Sequence, residues 1–330
     1  MIYSPKNPLR ILTPRKEVTE EVWPGEIPVE ILHMDGWHDA QLLLPKVEVL
    51  LSQVFSREMA HAAGSLKLIQ AMGAGIERID LGVLPKGCQV AIVFEHENAI
   101  AEWVIMSMIA LNREAMRAHL DVRNVTWEMH VTRGIRTPPE LRSQTLGVLG
   151  LGHIGKRTTE LARAFGMRVI AATRTVPSEE EGLKLGLDMV TNMQGLDCVL
   201  SEADFVLLSR PLNEDTRGLI GAKELACMKP DAHLINVSRA WLVDERALFN
   251  ALRDKRIKGA ALDVWFQEPT NRNESPKPSK YPYWELDNVL MSPHSATMTR
   301  QMYSGRMASA AKNIDRFARG EALENVVYIA

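Results

Sequence analysis

The sequence predicts an α/β protein in which a doubly wound parallel sheet is joined to a second, smaller α/β domain. The first observation is a central stretch, 145–175, in which two short apolar runs flank a glycine-rich turn and a helix-like segment. The second is the recurrence of short apolar runs between helix-like segments on both sides of that stretch. A chain of 330 residues exceeds what one hydrophobic core usually serves, so two domains are expected.

The glycine-rich turn has the spacing of a dinucleotide-binding motif. Gly150, Gly152 and Gly155 form GxGxxG. An apolar run precedes the motif, a helical segment follows it, and a second apolar run comes next (146–149, 156–165 and 167–172). This context predicts a Rossmann fold, because the glycines permit a tight turn, room for a pyrophosphate and close packing of helix on strand. A chance glycine turn is the alternative, and the strand and helix around it disfavour that alternative.

Further apolar runs after the motif predict the rest of this domain. They bring the expected strands to six and are separated by helical segments such as 223–228 and 245–254 (strands 205–208, 233–237, 259–262 and 289–291). The expected strand order is 3-2-1-4-5-6. The dinucleotide-binding domain is therefore expected to span 105–297.

The beginning of the chain predicts a small flavodoxin-like sheet. Four short apolar runs alternate with polar or helix-like segments (9–13, 29–33, 47–52 and 66–70). The amphipathic segment 299–320 is expected to form one long helix that returns to this sheet, followed by a short apolar tail. We therefore expect a discontinuous substrate-binding domain made of 1–104 and 298–330.

Composition excludes several classes of partner. The net charge is −2 and no basic tail is present, so neither nucleic acid nor an anionic membrane is an expected partner. The N-terminus lacks an apolar leader segment, and the most lipid-like run, 103–111, is far shorter than the roughly 20 residues of a membrane span. A cytoplasmic protein is expected. Cys88, Cys198 and Cys227 are widely spaced, so we expect buried thiols and no metal site.

Three polar residues follow the predicted strands four, five and six. Arg239, Glu268 and His294 should converge, because the carboxyl ends of neighbouring parallel strands share one edge of the sheet. A guanidinium can hold a carboxylate, a histidine can move a proton, and a glutamate can orient the imidazole. These are the groups that reduction of a 2-oxo acid requires. Each residue alone also has a simpler interpretation, as a surface charge, a turn residue before Pro269 and a capping group after Pro293.

The segments around these residues resemble a known family. INVSRAWLVDERAL, KGAALDVWFQEP and NVLMSPHSA are similar to the three catalytic segments of the D-isomer-specific 2-hydroxyacid dehydrogenases. The loop Ala74-Gly75-Ile76 with Ile79-Asp80, the segment 98–102 and Arg113 also fit the family's substrate loop and domain-linking helix, so the resemblance covers nearly the whole chain.

The resemblance implies a role for each matching residue. Arg239 would bind the substrate carboxylate and polarise its carbonyl, His294 would be the acid/base, and Glu268 would orient His294. Asp263 would hold the nicotinamide carboxamide. Formate dehydrogenases carry glutamine at the position of Glu268, which disfavours that branch.

Three departures from the family pattern leave the choice of substrate open. Ala240 replaces a glycine, Trp241 is bulky, and the loop 270–283 is longer than usual.

The cofactor is indicated by the end of the second strand, where NAD enzymes place an acidic residue. This chain has Thr173-Arg174-Thr175 there, and an arginine beside two hydroxyls suits the 2′-phosphate of NADPH. Arg210 adds a second positive charge or, alternatively, lies as a solvent-exposed stem on the adenine. The predicted cofactor-binding residues are Gly150, Gly152, His153, Ile154, Gly155, Thr173, Arg174, Thr175, Arg210, Pro211, Thr216, Val237, Ser238 and Asp263.

We therefore predict an NADP(H)-preferring reductase of small 2-oxo acids, of the glyoxylate or hydroxypyruvate type, with NADH as the alternative cofactor. The loop Ala74, Gly75 and Ile76 is the predicted substrate loop, with a plain turn of small residues as the alternative. The resemblance implies a homodimer. Two alternatives remain at this point: a dinucleotide-sensing interaction protein similar to transcriptional corepressors, and an oxidative enzyme such as a phosphite or phosphoglycerate dehydrogenase.

Overall fold

The computed structural model describes residues 3–134, 137–270 and 273–330. The chain divides into two compact units. Unit 1 is Met1–Glu95 with Thr299–Ala330, and unit 2 is His96–Met298. The expected first boundary, between 104 and 105, falls later in the chain, inside a helix that begins at Glu97.

The N-terminal part of unit 1 forms a parallel sheet with the flavodoxin-like order β2-β1-β3-β4-β5. The four apolar runs that the sequence analysis identified form its first four strands, and the fifth was not anticipated. The strands are β1 (Leu9–Thr13), β2 (Val29–His33), β3 (Val49–Leu51), β4 (Leu68–Gln70) and β5 (Gln89–Ala91), with helices α1 (Trp37–Leu43) and α2 (Arg57–Ala60).

Unit 2 contains a seven-stranded sheet in which all neighbouring strands are parallel. Its strands are β6 (Thr145–Leu149), β7 (Arg168–Ala172), β8 (Met189–Thr191), β9 (Phe205–Leu208), β10 (His233–Asn236), β11 (Gly259–Leu262) and β12 (Val289–Met291). Its helices are α3 (Glu97–Asn112), α4 (Ala115–Arg123), α5 (His153–Ala164), α6 (Glu179–Lys184), α7 (Leu196–Glu202), α8 (Ala222–Cys227) and α9 (Glu245–Arg253).

The strand order of unit 2, β12-β11-β10-β9-β6-β7-β8, confirms a doubly wound sheet and corrects the strand count. The sequence analysis missed β8, a three-residue edge strand that is only half-buried. The segment 205–208 is therefore not the outer third strand but β9, which lies beside β6. The strands that precede Arg239, Glu268 and His294 remain neighbours, because β8 is added at the opposite side of the sheet.

Both faces of this sheet are buried under helices. Successive strand residues such as Val148 and Leu149 belong to different apolar clusters, because neighbouring side chains on a strand point to opposite faces. Helix α3 contributes Val104 and Met108 to one cluster, and α9 contributes Leu248 to the other. This two-sided burial explains why the strands read as continuous apolar runs.

The C-terminal segment completes unit 1. Helix α10 spans Arg300–Arg319. Thr299 caps its start, because the Thr299 hydroxyl accepts a hydrogen bond from the Met302 amide at 3.2 Å. Gly320 caps its end in a left-handed conformation with φ 71°. Strand β13 (Val326–Ile329), expected only as an apolar tail, pairs antiparallel with β5. The buried Asn313 amide of α10 donates to the Gln70 side chain on β4 at 2.7 Å.

The cysteines only partly follow expectation. Cys88 is buried, Cys227 is only half-buried, and Cys198 is exposed with its thiol donating to Glu202 at 3.2 Å, so the expectation of burial was wrong for Cys198 and only partly met for Cys227. Within the described residues, no group of three or more histidine, cysteine, aspartate or glutamate side chains is arranged to hold a metal ion. No helix among those residues is long and apolar enough to cross a membrane.

Candidate active site

The glycine turn joins β6 to α5 in unit 2. Gly150 has φ 106°, a left-handed conformation that favours glycine. A side chain at Gly155 would collide with the carbonyl oxygen of Gly150, so this position also requires glycine. A Cβ at Gly152, in contrast, would meet no protein atom within 4 Å. The space beside Gly152 is therefore open to a ligand, and the first amides of α5 have no side-chain cap.

A cavity of about 620 Å³ lies against this turn. Seven of the predicted cofactor-binding residues line it: Gly150, Gly152, Thr173, Arg174, Thr175, Arg210 and Pro211. Burial lowers the pKa of the Arg210 guanidinium, and the positive charge of Arg174 lowers that pKa further. Two guanidinium groups thus lie near each other, and Arg174 has neither an ion pair nor a hydrogen bond from its side chain within the described part of the chain. The charge of Asp215 offsets part of the Arg210 pKa shift, and the positive charge of Arg174 is available to a ligand.

Other predicted cofactor residues support the loops around this cavity. The buried Thr216 hydroxyl donates to the Pro211 carbonyl at 2.7 Å, and the Ser238 hydroxyl donates to the Arg210 carbonyl. Val237, between β10 and Ser238, is buried. In the first turn of α5, His153 is exposed and Ile154 is half-buried. Ligand contacts for these five residues stay a prediction.

Arg239 follows β10, as the sequence analysis placed it. Its guanidinium donates to the Ser238 carbonyl at 2.8 Å, and its own carbonyl accepts from the Asn236 side chain at 3.0 Å. The positive charge of Arg239 acts on both Glu268 and His294. The three predicted catalytic side chains therefore interact electrostatically with one another at the carboxyl edge of the sheet.

The structure brings His294 and Glu268 into direct contact. Nδ1 of His294 lies 2.9 Å from Oε2 of Glu268, and Oε1 of Glu268 accepts from the Trp265 amide at 3.0 Å. His294 has φ 54°, an uncommon conformation for a residue with a side chain. Because Nδ1 is engaged by the carboxylate, Nε2 is the ring nitrogen left for a reacting group.

The contact raises the pKa of His294 and lowers the pKa of Glu268, and both shifts favour acid/base chemistry. The hydrogen bond and negative charge of Glu268 raise the pKa of His294 and outweigh the effect of burial. Burial opposes ionisation of Glu268, but the hydrogen bonds from His294 and from the Trp265 amide lower its pKa overall. The pair therefore favours an imidazolium beside a carboxylate.

Asp263 anchors the segment that carries His294. Its buried carboxylate accepts from the Ser292 hydroxyl at 2.6 Å, the Ser295 amide at 2.8 Å and the Ala296 amide at 3.1 Å. These bonds flank His294 on both sides in the chain. The role that the resemblance implied, a contact with the nicotinamide carboxamide, stays a prediction.

Two of the departures from the family pattern, Ala240 and Trp241, directly follow Arg239 in the chain. Ala240 is buried, whereas Trp241 is exposed and packs edge-on against Phe266 with ring centroids 5.2 Å apart. The guanidinium of Arg217 lies over the Trp241 ring at 5.2 Å. A bulky residue is therefore tolerated here because it packs on the surface of unit 2.

The described part of the loop 270–283 is tied to α9. The Ser279 hydroxyl donates to the Glu245 carboxylate at 2.7 Å, and the Tyr283 hydroxyl donates to the Glu245 carbonyl at 2.7 Å. Ser279 and Tyr283 are both buried. Asn271 and Arg272, which the sequence analysis included in this loop, lie outside the described residues.

The predicted substrate loop belongs to unit 1 and follows β4. Ala74 is exposed, and Gly75 and Ile76 are half-buried. A Cβ at the preceding Gly73 would lie 2.9 Å from the Gln53 amide nitrogen and 3.6 Å from the Arg306 guanidinium carbon. This crowding explains the small residue at Gly73, and the substrate contacts of Ala74, Gly75 and Ile76 stay a prediction.

Several residues of unit 2 that shape the site were not anticipated. The Ser209 hydroxyl donates to the Gly150 carbonyl at 2.8 Å, and the Trp265 indole donates to the Ser292 carbonyl at 2.8 Å. Lys156 and Lys184 also line the cavity beside the glycine turn. The role of Ser209 could have been predicted, because this residue directly follows a strand next to the glycine turn. The hydrogen bond of Trp265 could not, because its partner lies in a distant segment of the chain.

A doubly wound sheet with a glycine turn, and a histidine–carboxylate pair at its carboxyl edge, is an arrangement that suits a nicotinamide-dependent oxidoreductase. Comparison with known proteins narrows this class. Residues 105–296 match the family model described as D-isomer specific 2-hydroxyacid dehydrogenase, NAD binding domain. The chain belongs to the D-isomer specific 2-hydroxyacid dehydrogenase family and is an NAD(P)-dependent oxidoreductase.

Individual relatives agree with this assignment. The chain is 32% identical over 340 residues to a glyoxylate reductase of Aeropyrum pernix, covering 95% of this chain and 96% of the relative. It is 34% identical over 274 residues to a D-3-phosphoglycerate dehydrogenase of Methanocaldococcus jannaschii, covering 82% of this chain. The matched region spans about half, 49%, of that longer relative.

A solved structure supports the same architecture. An acyclic imino acid reductase (Bsp5) in complex with NADPH and D-Arg is similar to the chain with a TM-score of 0.80 and 25% identity, covering 97% of this chain and 100% of that structure.

Proposed function

We propose that the protein is an NADP(H)-preferring reductase of small 2-oxo acids, of the glyoxylate or hydroxypyruvate type. The observation that carries the reaction type is the 2.9 Å contact between His294 Nδ1 and Glu268 Oε2 near the charge of Arg239. A cation for the substrate carboxylate and a protonated imidazole are the two groups that reduction of a 2-oxo acid needs from the protein.

Three side chains of unit 2 carry out the reduction in successive roles. Arg239 binds the substrate carboxylate and draws electron density from the neighbouring carbonyl. His294 donates the proton on Nε2 to the carbonyl oxygen, while Glu268 holds Nδ1–H and stabilises the imidazolium. The nicotinamide cofactor, when bound, supplies the hydride to the carbonyl carbon. Proton and hydride together convert the oxo group to a hydroxyl group, and His294 is left neutral.

The preference for NADPH rests on the Arg174 and Arg210 pair. A 2′-phosphate is a dianion, and the two guanidinium groups lie close enough for the charge of one to lower the pKa of the other. Thr173 and Thr175 line the same cavity and offer hydroxyl groups to the phosphate. The complex of the imino acid reductase with NADPH agrees with this preference.

Homodimer formation is the expected assembly, and unit 2 exposes an apolar face suited to it. Met106 and Ile109 on α3 are 45% and 38% exposed, and Phe165 after α5 is 47% exposed. These three residues line one apolar depression, and apolar patches of this kind mark contacts between proteins. The cytoplasmic location stays a prediction.

A steady-state panel tests the function. Glyoxylate, hydroxypyruvate, pyruvate and 2-oxoglutarate would be assayed with NADPH and with NADH, and kcat/KM compared for each pair. We expect the highest kcat/KM for glyoxylate or hydroxypyruvate with NADPH. Absence of turnover with every acid would refute the reductase, and equal kcat/KM with both cofactors would refute the cofactor preference alone.

A further inference from the structure

A second cavity, of about 380 Å³, lies in unit 2 at the amino ends of β10, β11 and β12. The first residues of these strands, His233, Gly259 and Val289, line it. The same strands carry Arg239 and His294 beyond their carboxyl ends. The cavity is therefore at the opposite edge of the sheet from the candidate active site, and its volume is within the usual range for small-molecule pockets, about 300 to 1,000 Å³.

The cavity contains a buried histidine that the proposed mechanism does not use. His233 is only 3% exposed, and its ring stacks on Phe205 with centroids 5.2 Å apart. Its Nδ1 is enclosed and has no hydrogen-bond partner in the described ranges of the chain. The Cδ2 edge of the ring lies beside Gly259, 3.3 Å from where a Cβ would stand. Nε2 is bonded to Cδ2 and, unlike Nδ1, is not among the enclosed side-chain atoms of the described residues that lack a hydrogen-bond partner, so this nitrogen is open toward the cavity that His233 lines.

The protonation state of His233 follows from this environment. Burial lowers its pKa to about 3, and the positive charge of Lys258 contributes to the shift. The ring is therefore neutral at physiological pH and carries one N–H. An enclosed N–H without an acceptor is rare in proteins, so the hydrogen belongs on Nε2, where an acceptor can approach. His233 thus offers the cavity one hydrogen-bond donor.

Lys258 supplies a positive charge next to this donor. It lines the cavity and is half-buried, and its ammonium group has no ion pair or hydrogen bond within the part of the chain that is described. Two other basic residues of the wall, Arg117 and Lys255, each have a carboxylate neighbour, at 3.3 and 3.8 Å. Three carboxylates also line the cavity: Glu114 and Asp287, which are the partners of Arg117 and Lys255, and Asp231, which is exposed. Lys258 is therefore the basic residue of this wall whose charge remains available.

Apolar side chains make up another part of the wall. Leu111 at the end of α3, Met116 on α4 and Leu290 on β12 line it together with Pro230. A partly apolar wall that also presents a neutral N–H donor and an ammonium group suits a ligand that has an apolar body and one anionic group. A carboxylate can accept from both groups at once.

We propose that this cavity is a second ligand site, which binds a small carboxylic acid with an apolar body through His233 Nε2 and Lys258. The site is distinct from the candidate active site, and its occupation does not depend on the identity of the substrate.

Benzoate is the probe for this proposal, and benzyl alcohol is the matched neutral probe. Binding would be measured by isothermal titration calorimetry on the full chain carrying Arg239→Ala, which removes the expected carboxylate contact of the active site. We expect benzoate to bind this variant with one site per chain and benzyl alcohol to bind at least about tenfold more weakly. Absence of benzoate binding to Arg239→Ala would overturn the proposal, and equal affinity for the two probes would overturn the carboxylate assignment.

Two further substitutions in the Arg239→Ala protein locate the site. Lys258→Met keeps the length of a half-buried side chain, and His233→Phe keeps the stacking on Phe205 while removing the donor. Each should weaken benzoate binding by about tenfold, the loss expected for one hydrogen bond to a charged group. Lys223→Met, an exposed lysine on α8 that lies 3.4 Å from Asp197, is the control and should leave binding unchanged. Unchanged affinity in Lys258→Met, a substitution outside the apolar core clusters, would overturn the proposal even if His233→Phe failed to fold.

Discussion

The imidazole of His294 and the carboxylate of Glu268 form a hydrogen bond between Nδ1 and Oε2, 2.9 Å long, although 25 residues separate them in the chain. The bond depends on the parallel pairing of β11 and β12, which brings the two following loops to one edge of the sheet. It fixes the direction of the His294 pKa shift, which is upward. The pH dependence of reduction follows from that shift.

Glu268→Gln should move the alkaline limb of reduction to lower pH. Reduction needs the imidazolium form of His294, which is present below the His294 pKa and is lost as the pH rises through it. The ionised Glu268 raises this pKa, and a neutral glutamine removes the charge while keeping a hydrogen-bonding oxygen. The profile of kcat/KM for glyoxylate against pH is the measurement. An alkaline limb that stays in place would contradict the pairing of the two residues.

His294→Ala is the companion to that experiment. Loss of a positioned general acid should lower kcat by about 10² to 10⁴. The dissociation constant of NADPH, measured by fluorescence titration, should change little, because the cofactor cavity is lined by other residues. Near-normal kcat would show that another group donates the proton.

Arg174→Ala should weaken NADPH selectively. The substitution removes a charged contact with the 2′-phosphate, worth about 1.5 to 3 kcal/mol, so KM for NADPH should rise about tenfold or more. KM for NADH should change little, since NADH lacks the phosphate. Arg142→Ala is the matched control, because Arg142 is an exposed arginine of unit 2 that pairs with Glu140 outside the cavity. Equal losses with both cofactors would argue that Arg174 serves the whole nucleotide.

The parts of the site that could be predicted from sequence are those with local causes. Gly150 and Gly155 are required by a turn only a few residues long, and both requirements are visible as spacing. Arg239 and His294 could be predicted because each directly follows a strand, and parallel topology then places them on one edge. Helix α10 was predicted to within one residue at each end from its amphipathic pattern, and in the structure Thr299 and Gly320 cap those ends.

The parts that were missed depend on distant segments or on weak patterns. Strand β8 has three half-buried residues, so it lacks the apolar run that marks the inner strands. Strand β13 is an antiparallel edge strand whose partner, β5, lies far away in the sequence. The bonds from the His294 segment to Asp263 were also not foreseeable, because they depend on how one loop closes over the end of another strand.

Ile109→Glu on α3 should prevent the expected homodimer. Ile109 is 38% exposed in an apolar depression, and a carboxylate buried in an interface would lose its hydration without a partner. Sedimentation velocity should show a shift from dimer to monomer. Leu42→Glu on α1, where the leucine is 54% exposed, is the control and should leave the sedimentation coefficient unchanged. A chain that is dimeric with Ile109→Glu would place the interface elsewhere.

Asp263→Asn distinguishes a positioning role from a cofactor contact. The carboxylate of Asp263 accepts from two amides and one hydroxyl around His294, and an asparagine would turn one acceptor into a donor facing other donors. The His294 segment should then shift, and a misplacement of about 1 Å lowers kcat by roughly a hundredfold. We expect kcat to fall by about this factor while the dissociation constant of NADPH is retained. Ser292→Ala, which removes only the hydroxyl bond, should produce a smaller loss of kcat in the same direction. If NADPH binding weakens in Asp263→Asn while kcat at saturating cofactor is preserved, the residue acts on the cofactor and the positioning role is wrong.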